Sequence, residues 1–168
     1  MNFLRPVVFA AVVVSSFALA ESAGGVSWTA PKAWTASEAR PMRAATYVVP
    51  AAKGETEAGE CAVFFFGAGQ GGGVDENVKR WVSQFDAGSK SSTKKDKVNG
   101  LEVTRVEVEG TYQSGGMAGP KVAKPGSKLL GAIVEGKGGT VFFKFTGSAK
   151  TVEAAKKDFD ALVASLKG

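Results

Sequence analysis

Residues Cys61-Ala62-Val63-Phe64-Phe65-Phe66 are apolar without a break. On a β-strand successive side chains point to opposite faces, so Val63 and Phe65 face one way and Phe64 and Phe66 the other. Both faces then need cover, which predicts a strand in the middle of a sheet packed on both sides. Val141-Phe142-Phe143-Lys144-Phe145 repeats the pattern less completely, with Val141, Phe143 and Phe145 on one face. Core packing accounts for these phenylalanines better than a ligand cavity does.

Two segments have helical periodicity. Val74, Val78, Trp81, Val82 and Phe85 recur at helical intervals, with Asp75 as the expected N-cap and Gly88 beyond the end. Val152, Ala155, Phe159, Leu162, Val163 and Leu166 form a second stripe, which predicts one C-terminal helix capped by Thr151 or Ser148. Trp28, Pro31, Trp34 and Pro41 predict a short strand and a loop whose tryptophans lie at the core edge. Residues 45–49 read as a strand and residues 51–59 as a turn. Val98-Asn99-Gly100-Leu101 carries a hairpin signal. The alternation of residues 101–112 slips near Thr104-Arg105, which predicts a bulge. Lys90, Lys94, Lys95 and Lys97 read as a solvated linker, as Lys121, Lys124 and Lys128 read as a second solvated cluster. Residues 113–127 read as loop, 128–135 as a strand and 140–146 as its hairpin partner.

The expected order is three strands, a helix, three or four strands and a helix. Short connections make the sheet mainly antiparallel. The expected fold is therefore α+β, with helices on both faces in an α/β/α sandwich.

The first twenty residues read as an export signal. Arg5 supplies the positive end, residues 7–19 are apolar except for Ser15 and Ser16, and Ala18-Leu19-Ala20 is a small-x-small cleavage site. The apolar run falls short of the roughly 20 residues a membrane span needs. Cleavage after Ala20 leaves residues 21–168 as a single domain; an uncleaved N-terminal anchor is the alternative. No Cys follows the apolar run, so a lipid anchor is not expected, and no transmembrane segment is expected in the mature chain. The expected location is the periplasm or the exterior of a bacterium. Without Arg5 the charge falls from +5 to +4. That modest excess allows weak attraction to anionic envelope polymers; nucleic acid is not an expected partner of an exported chain.

Gly67, Gly69 and Gly72 fit G-x-G-x-x-G between a strand and a helix. That spacing lets backbone amides and a helix N-terminus hold a pyrophosphate, within a parallel βαβ unit. Here a lysine-rich segment and a hairpin follow the helix instead, so dinucleotide binding is not expected and no cofactor is assigned. Two readings stay open for Gly67, Gly69, Gln70, Gly71 and Gly72. They form a tight strand-to-helix turn, or they bind a small anion or other small ligand with Arg80 or Lys79 nearby. Arg80 and Gln84, one turn apart, take a solvated or hydrogen-bonded structural role, or else meet a ligand or the glycine loop, whereas Trp81 belongs to the core.

Catalytic sets are absent from the sequence. It has no His, which excludes His-based triads, and a single Cys does not suggest a zinc site. Cys61 opens the apolar run and reads as a buried core residue. Ser91-x-x-Lys94 and Ser92-x-x-Lys95 lack the companion motifs of penicillin-recognising enzymes. Glu107 and Glu109, with Glu102, read as a solvated strand edge rather than an acid–base pair. No catalytic or metal-ligating residue is assigned, and an enzyme is not expected.

The cassette Phe65-Phe66-Gly67-x-Gly69-Gln70-Gly71-Gly72 with Asn77-Val78-x-Arg80-Trp81-x-x-Gln84-Phe85 resembles one in uncharacterised exported bacterial proteins. It extends to Leu130-Gly131-Ala132-Ile133-Val134-Glu135-Gly136 and Phe143-Lys144-Phe145-Thr146-Gly147, and it implies no activity. More distantly, Trp28-x-x-Pro31-x-x-Trp34 and the closing strand, Thr146-Gly147 and helix resemble the PsbP fold group. That resemblance implies an α/β/α sandwich around an antiparallel sheet and carries no binding residues with it. Together these readings predict an exported, non-catalytic domain that binds a partner protein or an envelope component. The alternative is a small-anion or small-ligand binding protein using the 67–73 loop.

Overall fold

The computed structural model describes residues 20–115 and 120–168. The expected export signal, apart from Ala20, and Gly116 and Gly119 of the expected loop lie outside the described residues. The long apolar strand is β5 (Gly59–Phe65). It lies third in a seven-stranded sheet of order β3-β4-β5-β9-β8-β7-β6. The other members are β3 (Thr35–Ala36), β4 (Arg43–Val49), β6 (Lys90–Val98), β7 (Leu101–Ser114), β8 (Val122–Gly136) and β9 (Gly139–Ser148). Every neighbouring pair is antiparallel. A separate hairpin joins β1 (Ala20–Ala23) to β2 (Val26–Thr29). The described residues also form helices α1 (Val74–Val82), α2 (Ala149–Ala154) and α3 (Lys156–Ala164).

β5 separates two apolar clusters, as its sequence requires. Cys61 and Val63 belong to the larger, with Phe65 against it, on what we term the first face; Phe64 and Phe66 pack against the smaller, on the second face. β8 is divided in the same way. Leu130, Ala132 and Val134 join the larger cluster and Leu129 and Ile133 the smaller. Gly131 sits between those last two because Trp81 of α1 presses onto the strand there; a Cβ at 131 would lie 2.3 Å from Trp81 Cζ3. In the larger cluster Phe159 of α3 packs on Phe145 at 6.0 Å between ring centres. At its margin Trp28 Nε1 donates to Tyr47 Oη at 2.8 Å, and Tyr47 donates to Glu21 at 2.5 Å.

Several local expectations are corrected. The lysine-rich linker is the edge strand β6, paired along its whole length with β7 through the Asn99-Gly100 turn. Its polar sequence misleads because an edge strand buries little, and lysines there discourage pairing with other chains. The slip near Thr104-Arg105 is not a bulge. Leu101 and Val103 enter the larger cluster, Val106 and Val108 the smaller, so the apolar pattern changes face while the register runs on. The irregularity lies between Gly110 and Tyr112. Much of the expected 113–127 loop continues β7 and β8, with Tyr112 opposite Lys124 and Ser114 opposite Val122.

The C-terminal stripe is buried as expected but breaks into two helices at Ala155, where φ is −97° and ψ 6°. Ser148 is its N-cap, accepting from the Thr151 N–H at 3.2 Å. The cap of α1 is Gly73, not Asp75, which lies inside the first turn. Lys128 is not solvated. It is 4% exposed, and its ammonium meets Glu107 at 2.6 Å, Glu109 at 3.3 Å and Glu153 of α2. Cys61 is fully buried, and burial pushes its thiol well above the usual range.

Candidate functional site

The glycine loop is held mainly by its carbonyls. Asn77, 3% exposed, donates from Nδ2 to Gly71 O and Gly73 O, each at 2.9 Å. Arg80 donates to Gly71 O at 3.4 Å and to the Asn77 side-chain oxygen. The Gln70 N–H closes a turn onto Gly67 O at 3.1 Å. Gly71 is glycine for two reasons: its φ is +91°, and a Cβ there would lie 2.8 Å from Phe66 and 3.0 Å from Phe142. At the helix N-terminus the Glu76 carboxylate accepts the Gly73 N–H at 3.1 Å, and Asp75 adds a second negative charge. The chain's own acids therefore complement the positive end of the helix dipole. Beside the loop an open depression of about 700 Å³ is lined by Met42, Phe66, Gln70, Gly71, Gly72, Glu76 and Arg80. The neighbours of β5 are β4 and β9, both antiparallel to it, so the loop does not sit in a parallel βαβ unit.

A second constellation lies on the same face. Helix α1 is short; its Trp81 clusters with residues of β7, β8 and β9, and Phe64 and Phe66 lie at the margin of that cluster toward β4. There Arg43 Nη1 meets Glu60 at 2.9 Å and its guanidinium lies 5.4 Å from the centre of the Phe64 ring. Arg40 meets Glu60 at 3.2 Å. After the irregularity at Gly110 the end of the β7–β8 hairpin bends over to the end of α1. The Gln113 N–H donates to Gln84 O at 2.7 Å, the Asp86 N–H donates to Thr111 O at 3.0 Å, and Phe85 packs on Tyr112 at 5.1 Å. A Cβ at Gly110 would fall 2.0 Å from Ser89 Oγ, so this approach requires glycine.

The bend encloses a groove of about 520 Å³. Glu57 and Glu60 form one bank, Tyr112, Val122 and Lys124 the other, and Thr146 lies between them. Lys144, on β9 between Phe142 of the smaller cluster and Thr146, is not itself a lining residue; it adjoins the groove through Tyr112. Its Nζ donates to Gln84 Oε1 at 2.6 Å and to Tyr112 Oη at 3.2 Å. No carboxylate among the described residues lies within ion-pairing distance of it. Burial pushes Lys144 down to about 8; Arg43 and Arg80 press the same way and Glu60 opposes them. Burial, followed by Glu60, raises Tyr112.

Of the residues singled out in the sequence, Gln70, Gly71, Gly72 and Arg80 line one depression and Gly67 closes the turn with Gln70, whereas Gly69 is not among the lining residues. Gln84 does not meet the loop; its Oε1 accepts from Lys144, the kind of hydrogen-bonded role also read for it. Sequence reasoning misses Arg43, Glu60, Tyr112 and Lys144. The one signal for them is Lys144 itself, a single charge set among phenylalanines on a strand. Among the described residues no group of His, Cys, Asp or Glu is placed to hold a metal ion, and no helix is long and apolar enough to cross a membrane.

No family model matches the chain, and no curated protein matches it. Solved structures do. The solution structure of cyanobacterial PsbP (CyanoP) from Synechocystis sp. PCC 6803 is similar over 94% of this chain and 97% of its own, with a TM-score of 0.55 and 12% identity. A protein of unknown function from Pseudomonas aeruginosa, PA94, described as a putative regulator, is similar over 89% of this chain and 96% of its own, with a TM-score of 0.51 and 12% identity. At that identity the likeness concerns the backbone: the chain has a PsbP-like α+β fold built on a large antiparallel sheet.

Proposed function

We propose that this chain is an exported, non-catalytic domain that binds a partner protein or another envelope component, in the periplasm or outside the cell. The observation that carries the reading is the groove under the bent β7–β8 hairpin. It is lined by charged and polar side chains, with Lys124 of one bank paired to Glu57 of the other at 2.7 Å, and it is built by a bend of the sheet that also packs Tyr112 against the smaller cluster. The non-catalytic part rests on chemistry: the sequence has no His, and its one thiol is buried and held protonated. The architecture within this reading is an α/β/α sandwich, α1 over the second face and α2 and α3 over the first. Two separate clusters, one with Trp81 and Phe85 and one with Phe159 and Leu162, support it.

Photo-crosslinking in living cells tests the proposal. A crosslinker replacing Val122, which is 54% exposed on the groove bank, should capture a defined envelope component. The same group at Lys157 on α3 should not. Equal capture at both positions, or none at Val122, would count against the groove. The depression beside Gly71, Gly72 and Arg80 favours a second reading, a small-anion site at the 67–73 loop, although Glu76 already occupies the helix end. Phosphate should then raise the Tm of the wild type but not of Arg80→Gln, and an unmoved wild-type Tm would remove that reading.

A further inference from the structure

We propose that Lys144 and Tyr112 form a binding site for one carboxylate, supplied by an acidic side chain of the partner; this rests on the groove being the contact surface. An ammonium has three N–H donors and a phenol one O–H. Gln84 Oε1 accepts one Lys144 hydrogen and Tyr112 Oη a second. The third has no acceptor among the described residues, and neither has the Tyr112 hydroxyl hydrogen. Two open donors therefore sit on atoms 3.2 Å apart and carry one positive charge. That complements the two oxygens and single charge of a carboxylate. A phosphate monoester has three acceptor oxygens and close to two charges, more than this pair can satisfy.

The surroundings call for an anion as well. The charged groups facing Lys144 are Arg43 from β4, Glu60 from β5 and Arg80 from α1, with neutral Gln84 and Tyr112 completing the shell. Glu60 is committed to Arg40 and Arg43. Three cations, Lys144 included, thus face one acid. Lys128 shows what this chain does with a buried lysine it neutralises: it supplies three glutamates. At Lys144 it supplies none, and the hydroxyl that accepts from this lysine belongs to Tyr112 of the groove bank.

The test uses the full mature chain and NMR titration near neutral pH with three probes: a capped tri-glutamate peptide, acetate and inorganic phosphate. The peptide should shift the signals of Lys144 and Tyr112, bind more tightly than acetate, and bind more tightly than phosphate. Affinity should fall about tenfold or more in Lys144→Met, which loses a charge-assisted hydrogen bond, and by less in Tyr112→Phe. It should also fade as the pH passes about 8, where the ammonium discharges. A silent titration at tens of millimolar probe, unchanged affinity in Lys144→Met, or phosphate binding most tightly would each overturn the site. A peptide no tighter than acetate would overturn the assignment to a partner's side chain. Crosslinking from Val122 alongside a silent titration would sink the carboxylate site while leaving the groove reading intact.

Discussion

Lys128 and Lys144 lie on adjacent strands and point to opposite faces of the same sheet. Burial opposes the charge on both. Lys128 overcomes it: hydrogen bonds to Glu107 and Glu153, with Glu109 behind them, raise its pKa above the ordinary lysine range. Lys144 does not, because its hydrogen-bond partners are neutral and the charges around it are mostly arginines. A buried ion that is paired can stay charged and hold elements together, while one without a counter-ion costs stability. Lys128 ties β7 and β8 to α2, and Lys156 of α3 adds a 3.2 Å contact to Glu107. On the first face Lys128 and Lys156 are neutralised by Glu107, Glu109 and Glu153; on the second face Lys144 has no carboxylate partner among the described residues. The difference separates a clamp from a site.

The comparison breaks first if the first face is not the main source of stability. Phe159→Ala should cost about 3–5 kcal/mol in a denaturant melt, as expected for a buried aromatic in a packed core. A loss under about 1 kcal/mol would mean that α3 contributes little. Next comes the clamp. Lys128→Met leaves three carboxylates facing one another and should cost about 2–3 kcal/mol, less than a fully buried pair because the acids are partly solvated. It should also change the acid limb. The hydrogen bond from Lys128 holds Glu107 below the usual carboxylate range, with burial opposing and Lys156 assisting. A lowered folded pKa contributes stability above the unfolded value, about 4.3, that is lost as pH falls through the folded value. Wild-type stability should therefore drop on acidification below about pH 4, and less steeply in Lys128→Met. A smaller effect is expected on the second face. Gly131→Ala drives a methyl into Trp81 and should cost about 1–3 kcal/mol, with a shift in tryptophan emission that a mere loss of strand propensity would not produce.

The fold is legible in the sequence where the physics is local or one-dimensional. The unbroken run at residues 61–66 predicts a strand inside the sheet with apolar neighbours on both sides, and β5 lies third of seven strands between the two clusters. The stripe from Val152 to Leu166 is buried as its spacing requires. Pattern misleads where an element's environment depends on its neighbours. β6 has almost no apolar pattern, since an edge strand of lysines and serines is held by backbone pairing with β7. Thr104-Arg105 resembles a bulge because pattern alone cannot show that a strand's core contacts move from one face to the other. The candidate site divides along the same line. The glycine loop and Arg80 are close together on the chain and therefore visible. The constellation beside the groove draws Arg43, Glu60, Gln84, Tyr112 and Lys144 from five parts of the chain, of which Glu60 and Tyr112 line the groove itself, and only the bend after Gly110 brings Tyr112 over Lys144.

The smallest expected effect is the most discriminating. If Lys144 is a charge without a counter-ion, Lys144→Met should leave stability near pH 7 unchanged or raise it by about 1 kcal/mol, the opposite of Lys128→Met. The pH dependence supplies the sign. Held at about 8 in the folded chain and near 10.4 when unfolded, Lys144 binds fewer protons in the folded state between those values. Its cost is therefore fully present below pH 8 and relieved as pH rises toward the unfolded value. Lys128, raised rather than lowered, loses its contribution only above the unfolded lysine value. Burial raises the Cys61 thiol, which destabilises the fold once the unfolded thiol ionises above about 8.5, so the absolute slope mixes terms. The difference between wild type and Lys144→Met isolates the one of interest. Urea melts at pH 7 and pH 9 should show the variant's advantage shrinking with pH. An advantage that grows, or a variant destabilised at pH 7 as much as Lys128→Met, would place Lys144 among the structural charges and erase the contrast between the faces.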